Sequence, residues 1–226
     1  MKNLNQSDPA YISAMTQFME GDWKSAEQSF LSLKSQYPES SFVRLTLGNI
    51  YYSMGKLNQS IESYEEALEI EPEWGVAYYK IGVTYFRAGK LIKSLEAFNK
   101  VLELRNQSHA MASYFVGLIN FFLGRDEVSD SAFTQFHEIA PESMIANYFL
   151  AEIKIKKNHF NEAIALLEEL LEETPNLSEA WYMLGQSYYG LHRNTDAIKA
   201  FRKVLEINPE DPRAKTKLTL MTDVEW

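Results

Sequence analysis

The chain has 226 residues, 46% of them hydrophobic, and its 31 acidic against 22 basic side chains leave a formal net charge of −9. That balance argues against nucleic acid or an anionic membrane surface as a partner. The absence of cysteine excludes disulfides, thiolate zinc sites and cysteine nucleophiles. The opening MKNLNQSDPA has one lysine and no apolar run of the kind a secretory signal needs. The most apolar stretch, 114–123, is interrupted by Asn120 and is too short for the ~20 residues of a membrane span. No membrane insertion is therefore expected, and the cytoplasm is the expected location.

Taken in order, the chain repeats itself at a period of 34 residues, over 7–40, 41–74, 75–108, 110–143, 144–177 and 178–211, with one extra residue at His109. Proline closes five of these segments (Pro38, Pro72, Pro141, Pro175, Pro209), and Asn106 stands at the remaining closing position. A proline there ends a helix and sets the turn into the next segment. The eighth position is always small (Ala14, Gly48, Gly82, Gly117, Ala151, Gly185), and so is the twentieth (Ala26, Ser60, Ser94, Ser129, Ala163, Ala197). Four residues later comes a large filler: Phe30, Tyr64, Phe98, Phe133, Leu167 or Phe201. Small residues facing a large one let two helices approach closely. Gly21, Gly55, Gly89 and Gly124 fall where a turn of positive φ would join the two helices of a segment.

The last segment carries Trp181, Leu184, Gly185, Tyr188, Ala197, Phe201 and Pro209 at the spacing of a tetratricopeptide repeat, a helix–turn–helix unit of about 34 residues. The chain resembles that family over about nine tenths of its length, most weakly in the first segment, where Ser13 and Gln17 replace the usual leucine and tyrosine. After Pro212, the stripe Ala214, Leu218 and Met221 predicts a closing helix over 212–222; residues 1–6 and 223–226 are expected to fray. The resemblance implies one all-α array: a right-handed superhelical α-solenoid of six repeats and a capping helix. About thirteen helices of some 12–14 residues are implied, first helices lining a concave face and second helices a convex one.

The family's mode of action implies a groove on the concave face. Carried over position by position, the candidate groove residues are Tyr79, Lys80, Arg87, Met111, Tyr114, Phe115, Leu118, Phe122, Ile145, Tyr148, Phe149, Glu152, Lys156 and Tyr182. Met111, Tyr114, Phe115, Leu118, Phe122, Ile145, Tyr148 and Phe149 would pool into one apolar patch. A patch of that size on an open surface marks an interaction site, unless tight winding or a second copy covers it. Some co-chaperone members of the family hold a C-terminal carboxylate with five lysine, arginine and asparagine residues. Of those five places only Asn49 and Lys80 match here, while Tyr11, Met15 and Val76 occupy the others, so that clamp is not expected.

Nothing in the sequence gathers the groups of a catalytic, cofactor or metal site. The histidines at 109, 137, 159 and 192 are scattered, no HExxH or phosphate-binding loop is present, and the glycines already follow the repeat period. Glu168, Glu169, Glu172 and Glu173 alternate with Leu170 and Leu171 as the solvated side of a packed helix would. The leading expectation is a non-enzymatic adaptor that binds a peptide segment or helix of another protein. A self-assembling scaffold is the second reading, and a regulatory subunit of a separate enzyme the third.

Overall fold

The computed structural model describes residues 7–104 and 109–222, and all regular structure among them is helical. The expected fraying at 1–6 and 223–226, and the closing position Asn106, lie outside the described residues. Thirteen α-helices occur among the described residues, fitting about six repeats and a C-terminal helix. The chain divides into two compact units, 1–116 and 117–226.

The first unit holds α1 (Pro9–Glu20), α2 (Trp23–Gln36), α3 (Ser41–Ser53), α4 (Leu57–Ile70), α5 (Gly75–Arg87) and α6 (Leu91–Glu103), with the beginning of α7 (Ala110–Phe122). Asp8 caps α1 by accepting from the Ala10 amide at 2.9 Å, with Pro9 at the first helical position, where no amide is needed. Asp22 and Ser40 cap α2 and α3 in the same way, through the amides of Ser25 and Val43. Each helix packs on its sequence neighbours, and the buried side chains form separate clusters around Phe30 and around Tyr64 and Ile81. Stability therefore accrues repeat by repeat.

The second unit takes α7 from Gly117 onward and adds α8 (Asp126–Ile139), α9 (Asn147–Lys156), α10 (Phe160–Glu173), α11 (Ser178–Gly190), α12 (Asn194–Ile207) and α13 (Pro212–Thr222). Its cluster runs from Ala151 to Ala214, with Leu218 and Met221 of α13 packed against it. The fifth repeat departs from a plain helix. Its first turn, Met144–Ala146, is a 3-10 helix, and α9 is only 10 residues long. Buried Asn147 follows that turn; its side-chain amide donates to the Leu166 carbonyl and, at 3.1 Å, to Glu169, so the chain is tied down where other repeats continue smoothly.

The small and large columns interlock as expected. All six fillers are at most 1% exposed. A Cβ placed on Gly82 would come within 3.0 Å of the Phe98 ring, and one on Gly185 within 2.6 Å of Phe201. The serines of the small column do more than stay small. Ser60, Ser94 and Ser129 donate at 2.8 Å to the carbonyls of Gly48, Gly82 and Gly117, stitching the second helix of a repeat to the first. The turns between paired helices contain Gly21, Gly55, Gly89 and Gly124 at φ between 68° and 78°. The equivalent places in the fifth and sixth repeats hold Asn158 and His192, both at φ 59°.

Candidate functional site

In the first unit the first helices bring several predicted groove positions together. A cavity of about 270 Å³ is lined by Asn49 and Tyr52 of α3, Tyr79, Lys80 and Val83 of α5, Met111 and Phe115 of α7, and Tyr64 of α4. Tyr79, Lys80, Met111 and Phe115 are among the groove positions that the sequence implies; Tyr64 belongs to the filler column. Its hydroxyl was the missed signal, since the other fillers are phenylalanine or leucine. That hydroxyl donates to Asn49 Oδ1 at 2.9 Å, which fixes the amide at the pocket wall. Burial pushes the Tyr64 phenol well above its ordinary value, and burial, then the nearby Tyr52, raises Tyr79. Both phenols are neutral at physiological pH, and Lys80 is the cation of the lining.

The aromatic walls are held from behind. Phe115 stacks on the buried filler Phe98 with ring centroids 4.7 Å apart and planes 3° from parallel. Edge contacts from Tyr79 and Phe86, at 6.3 and 5.4 Å, complete the cage around it. Tyr114 is half-buried beside Phe115 at 5.7 Å. Phe115 is thus as much a repeat-to-repeat packing residue as a groove residue. Arg87 is exposed and committed elsewhere: Nη1 donates to the Tyr52 carbonyl at 3.0 Å, with the guanidinium over the Tyr52 ring.

The remaining candidates belong to the second unit. Phe149 repeats the arrangement of Phe115, stacking on the buried filler Phe133 at 5.6 Å and 8°, with Phe121 and Tyr148 edge-on. Phe122 and Ile145 are open to solvent, at 58% and 46% exposure. Leu118 is not on an open face: at 7% exposure it is core, because its helix turns that side into the repeat packing. Tyr182 is likewise buried, with Arg213 over its ring at 4.4 Å. Glu152 and Lys156 pair with each other at 3.4 Å, and Lys156 also lies over the Phe121 ring. These two side chains answer one another before any ligand.

Among the described residues, no three His, Asp or Glu side chains gather to hold a metal ion, and no helix is long and apolar enough to cross a membrane.

Comparison with known proteins agrees with the geometry. Family profiles described as "TPR repeat" and "Tetratricopeptide repeat" match residues 10–40, 48–89, 76–108, 131–187 and 158–220. The chain is 23% identical over 213 residues to the anaphase-promoting complex subunit CDC16 of Saccharomyces cerevisiae, covering 90% of this chain and 25% of that protein. It is 26% identical over 176 residues to the TPR repeat-containing protein MJ1428 of Methanocaldococcus jannaschii, covering 78% of this chain and 26% of that protein. The chain thus spans about a quarter of the length of these curated relatives. Among solved structures, YrrB, described as a TPR protein with an unusual peptide-binding site, superposes with a TM-score of 0.76 at 19% identity, over 84% of this chain and 98% of its own. At that identity the likeness shows the fold. Repeat period, interlocked small and large columns, helix pairs and family profiles meet in one conclusion: the chain belongs to the tetratricopeptide repeat family, an all-α solenoid of helix–turn–helix units whose members generally serve protein–protein interaction.

Proposed function

We propose that this chain is a non-enzymatic adaptor whose repeats, bounded as the 34-residue period sets them, bind a segment of another protein on the face formed by the first helices. The observation that carries this reading is the cavity of the first unit. Seven of its eight lining residues come from first-helix groove positions of three successive repeats. Its volume of about 270 Å³ lies below the ~300–1,000 Å³ of pockets for whole small molecules, which favours one or two side chains of a peptide. Micromolar affinity requires about 8 kcal/mol net. At ~1.5–3 kcal/mol per buried side chain, one pocket contributes a fraction, and the rest comes from contacts along the same face.

The test is affinity capture from native extract with wild type and a Lys80→Glu, Met111→Glu variant side by side, followed by mass spectrometry. Both residues line the cavity and neither is buried, so circular dichroism should show unchanged helicity. A partner held by wild type and lost by the variant supports the reading; identical partners on both would move the binding surface elsewhere. Self-association is a second reading, favoured by Ile12 and Met19, which stand 52% and 80% exposed on α1. Light scattering that shows a concentration-independent monomer removes it.

A further inference from the structure

A second cavity lies in the second unit, on the opposite type of helix. It measures about 610 Å³ and runs between α10 and α12, the second helices of the last two repeats, with α11 beneath. Its floor is apolar: Leu171, Leu184 and Ala200 are buried, and Trp181 is partly exposed. The indole nitrogen donates to the Pro175 carbonyl at 2.8 Å, so the ring has no polar need left to satisfy. The α10 wall carries Glu168 and Glu172, and the α12 wall carries Lys199 and Lys203 beside a single carboxylate, Asp196.

Opposite charges facing each other would normally close such a cleft. Here they do not. Lys199 pairs with Asp196 at 3.5 Å and Lys203 with Glu206 at 2.6 Å, both on their own helix. Glu168 accepts from the Tyr188 hydroxyl at 2.7 Å. Among the described residues no ion pair joins the two walls. The same fold closes other grooves of this kind. Between α2 and α4, Lys34 and Arg44 both reach Glu66. Between α8 and α10, Lys154 of α9 reaches both Asp130 of α8 and Glu162 of α10.

We propose that this cleft is a second binding site, for a short segment of another protein that carries a basic side chain toward α10, an aliphatic or aromatic one on the Trp181–Leu184 floor, and an acidic one toward α12. Charge complementarity selects this occupant. A purely apolar segment would leave Glu172 without a partner, whereas Lys199 and Lys203 pair only with carboxylates of their own helix at the exposed surface, where an acid of the ligand can compete. The volume lies within the range of pockets that enclose a ligand.

The test uses the full chain and a phage-displayed library of twelve-residue peptides, with enriched peptides synthesised and measured by fluorescence polarisation. The expected family has a base, an apolar residue and an acid in that spatial order. Either Glu172→Lys or Lys203→Glu should weaken such peptides at least about tenfold, and the double exchange should prefer peptides with base and acid swapped. Both side chains are exposed, so neither change threatens folding. The proposal is overturned if no peptide is enriched, or if enriched peptides bind both single variants as wild type. It is equally overturned if they are lost only with Lys80→Glu, which reports the first-unit pocket. Light scattering that shows copies of this chain associating through the same charges would assign the cleft to self-assembly and overturn it as well.

Discussion

The pocket of the first unit and the cleft of the second are made from different columns of the same repeat. In the pocket, first helices supply tyrosines, a single cation and Phe115, and the wall behind is the interlocked Phe98 and Gly82. In the cleft, second helices supply the charged walls, and Trp181, at the tryptophan position of the repeat pattern, lies on the floor between them. The fifth and second repeats hold Asn147 and Arg44 at the Trp181 position, and each is tied to a glutamate on the second helix of its own repeat. The repeat period specifies the scaffold, and charged residues placed within it, such as Lys34 and Lys154, bridge some grooves and leave this one unbridged.

The largest effect should come from breaking the wall behind the pocket. Phe98 is fully buried, so Phe98→Ala should cost about 3–5 kcal/mol and abolish binding at the pocket, read by thermal unfolding and peptide binding. A loss under about 1 kcal/mol would mean the pocket does not depend on that interlock. Phe115→Asp comes next, at roughly 2–3 kcal/mol, because it removes the ring stacked on Phe98 and leaves a half-buried carboxylate. Unchanged stability would show that Phe115 serves ligands alone. Ser94→Ala should cost about 1 kcal/mol through the lost bond to the Gly82 carbonyl, bringing the third repeat closer to the fifth and sixth, where alanine stands naturally.

Acid should discriminate between a closed groove and the open cleft. Burial raises the Asp130 carboxyl, but hydrogen bonds from Lys157 and Lys154 outweigh it and hold the group below its ordinary value of 3.8. A carboxylate whose folded pKa is depressed stabilises the protein above its unfolded pKa, and that contribution is lost as pH falls through the folded value. Stability should therefore decline below about pH 4, and Asp130→Asn should flatten that limb in urea titrations across pH. An unchanged slope would remove Asp130 from the account.

Much of this was legible in the sequence, because the period of 34 aligns residues that share one physical job. The filler at 98, the glycine at 82 and the closing stripe of 214, 218 and 221 all act as their columns imply. What was not legible depends on partners several residues or one repeat away. Nothing in the column that holds Leu118 says that it is buried, and nothing in Arg87 says that it reaches the Tyr52 carbonyl. The cleft was hidden for the same reason. Glu168 and Glu172 look like an ordinary solvated face until Lys199 and Lys203 are placed opposite them, 27 or more positions along the chain.

The smallest effect concerns the turns, and it separates the last two repeats from the four before them. Among the described residues, the positive-φ turn positions of the first four repeats are glycines, whereas the last two repeats place Asn158 and His192 at φ 59°. The hydrogen bonds are the same in both: Lys90 N reaches the Tyr85 carbonyl at 2.9 Å, and Arg193 N reaches the Tyr188 carbonyl at 2.8 Å. The geometry is therefore imposed by the helix ending, and a side chain with a Cβ endures it at a cost of about 1 kcal/mol. Glycine relieves that strain but gains freedom in the unfolded chain. His192→Gly and Asn158→Gly should each raise stability by no more than about 0.5–1 kcal/mol, with histidine gaining more because asparagine tolerates this region better. A destabilised His192→Gly protein would mean that the imidazole contributes contacts of its own at the end of α11, and that the turn is held by more than its backbone.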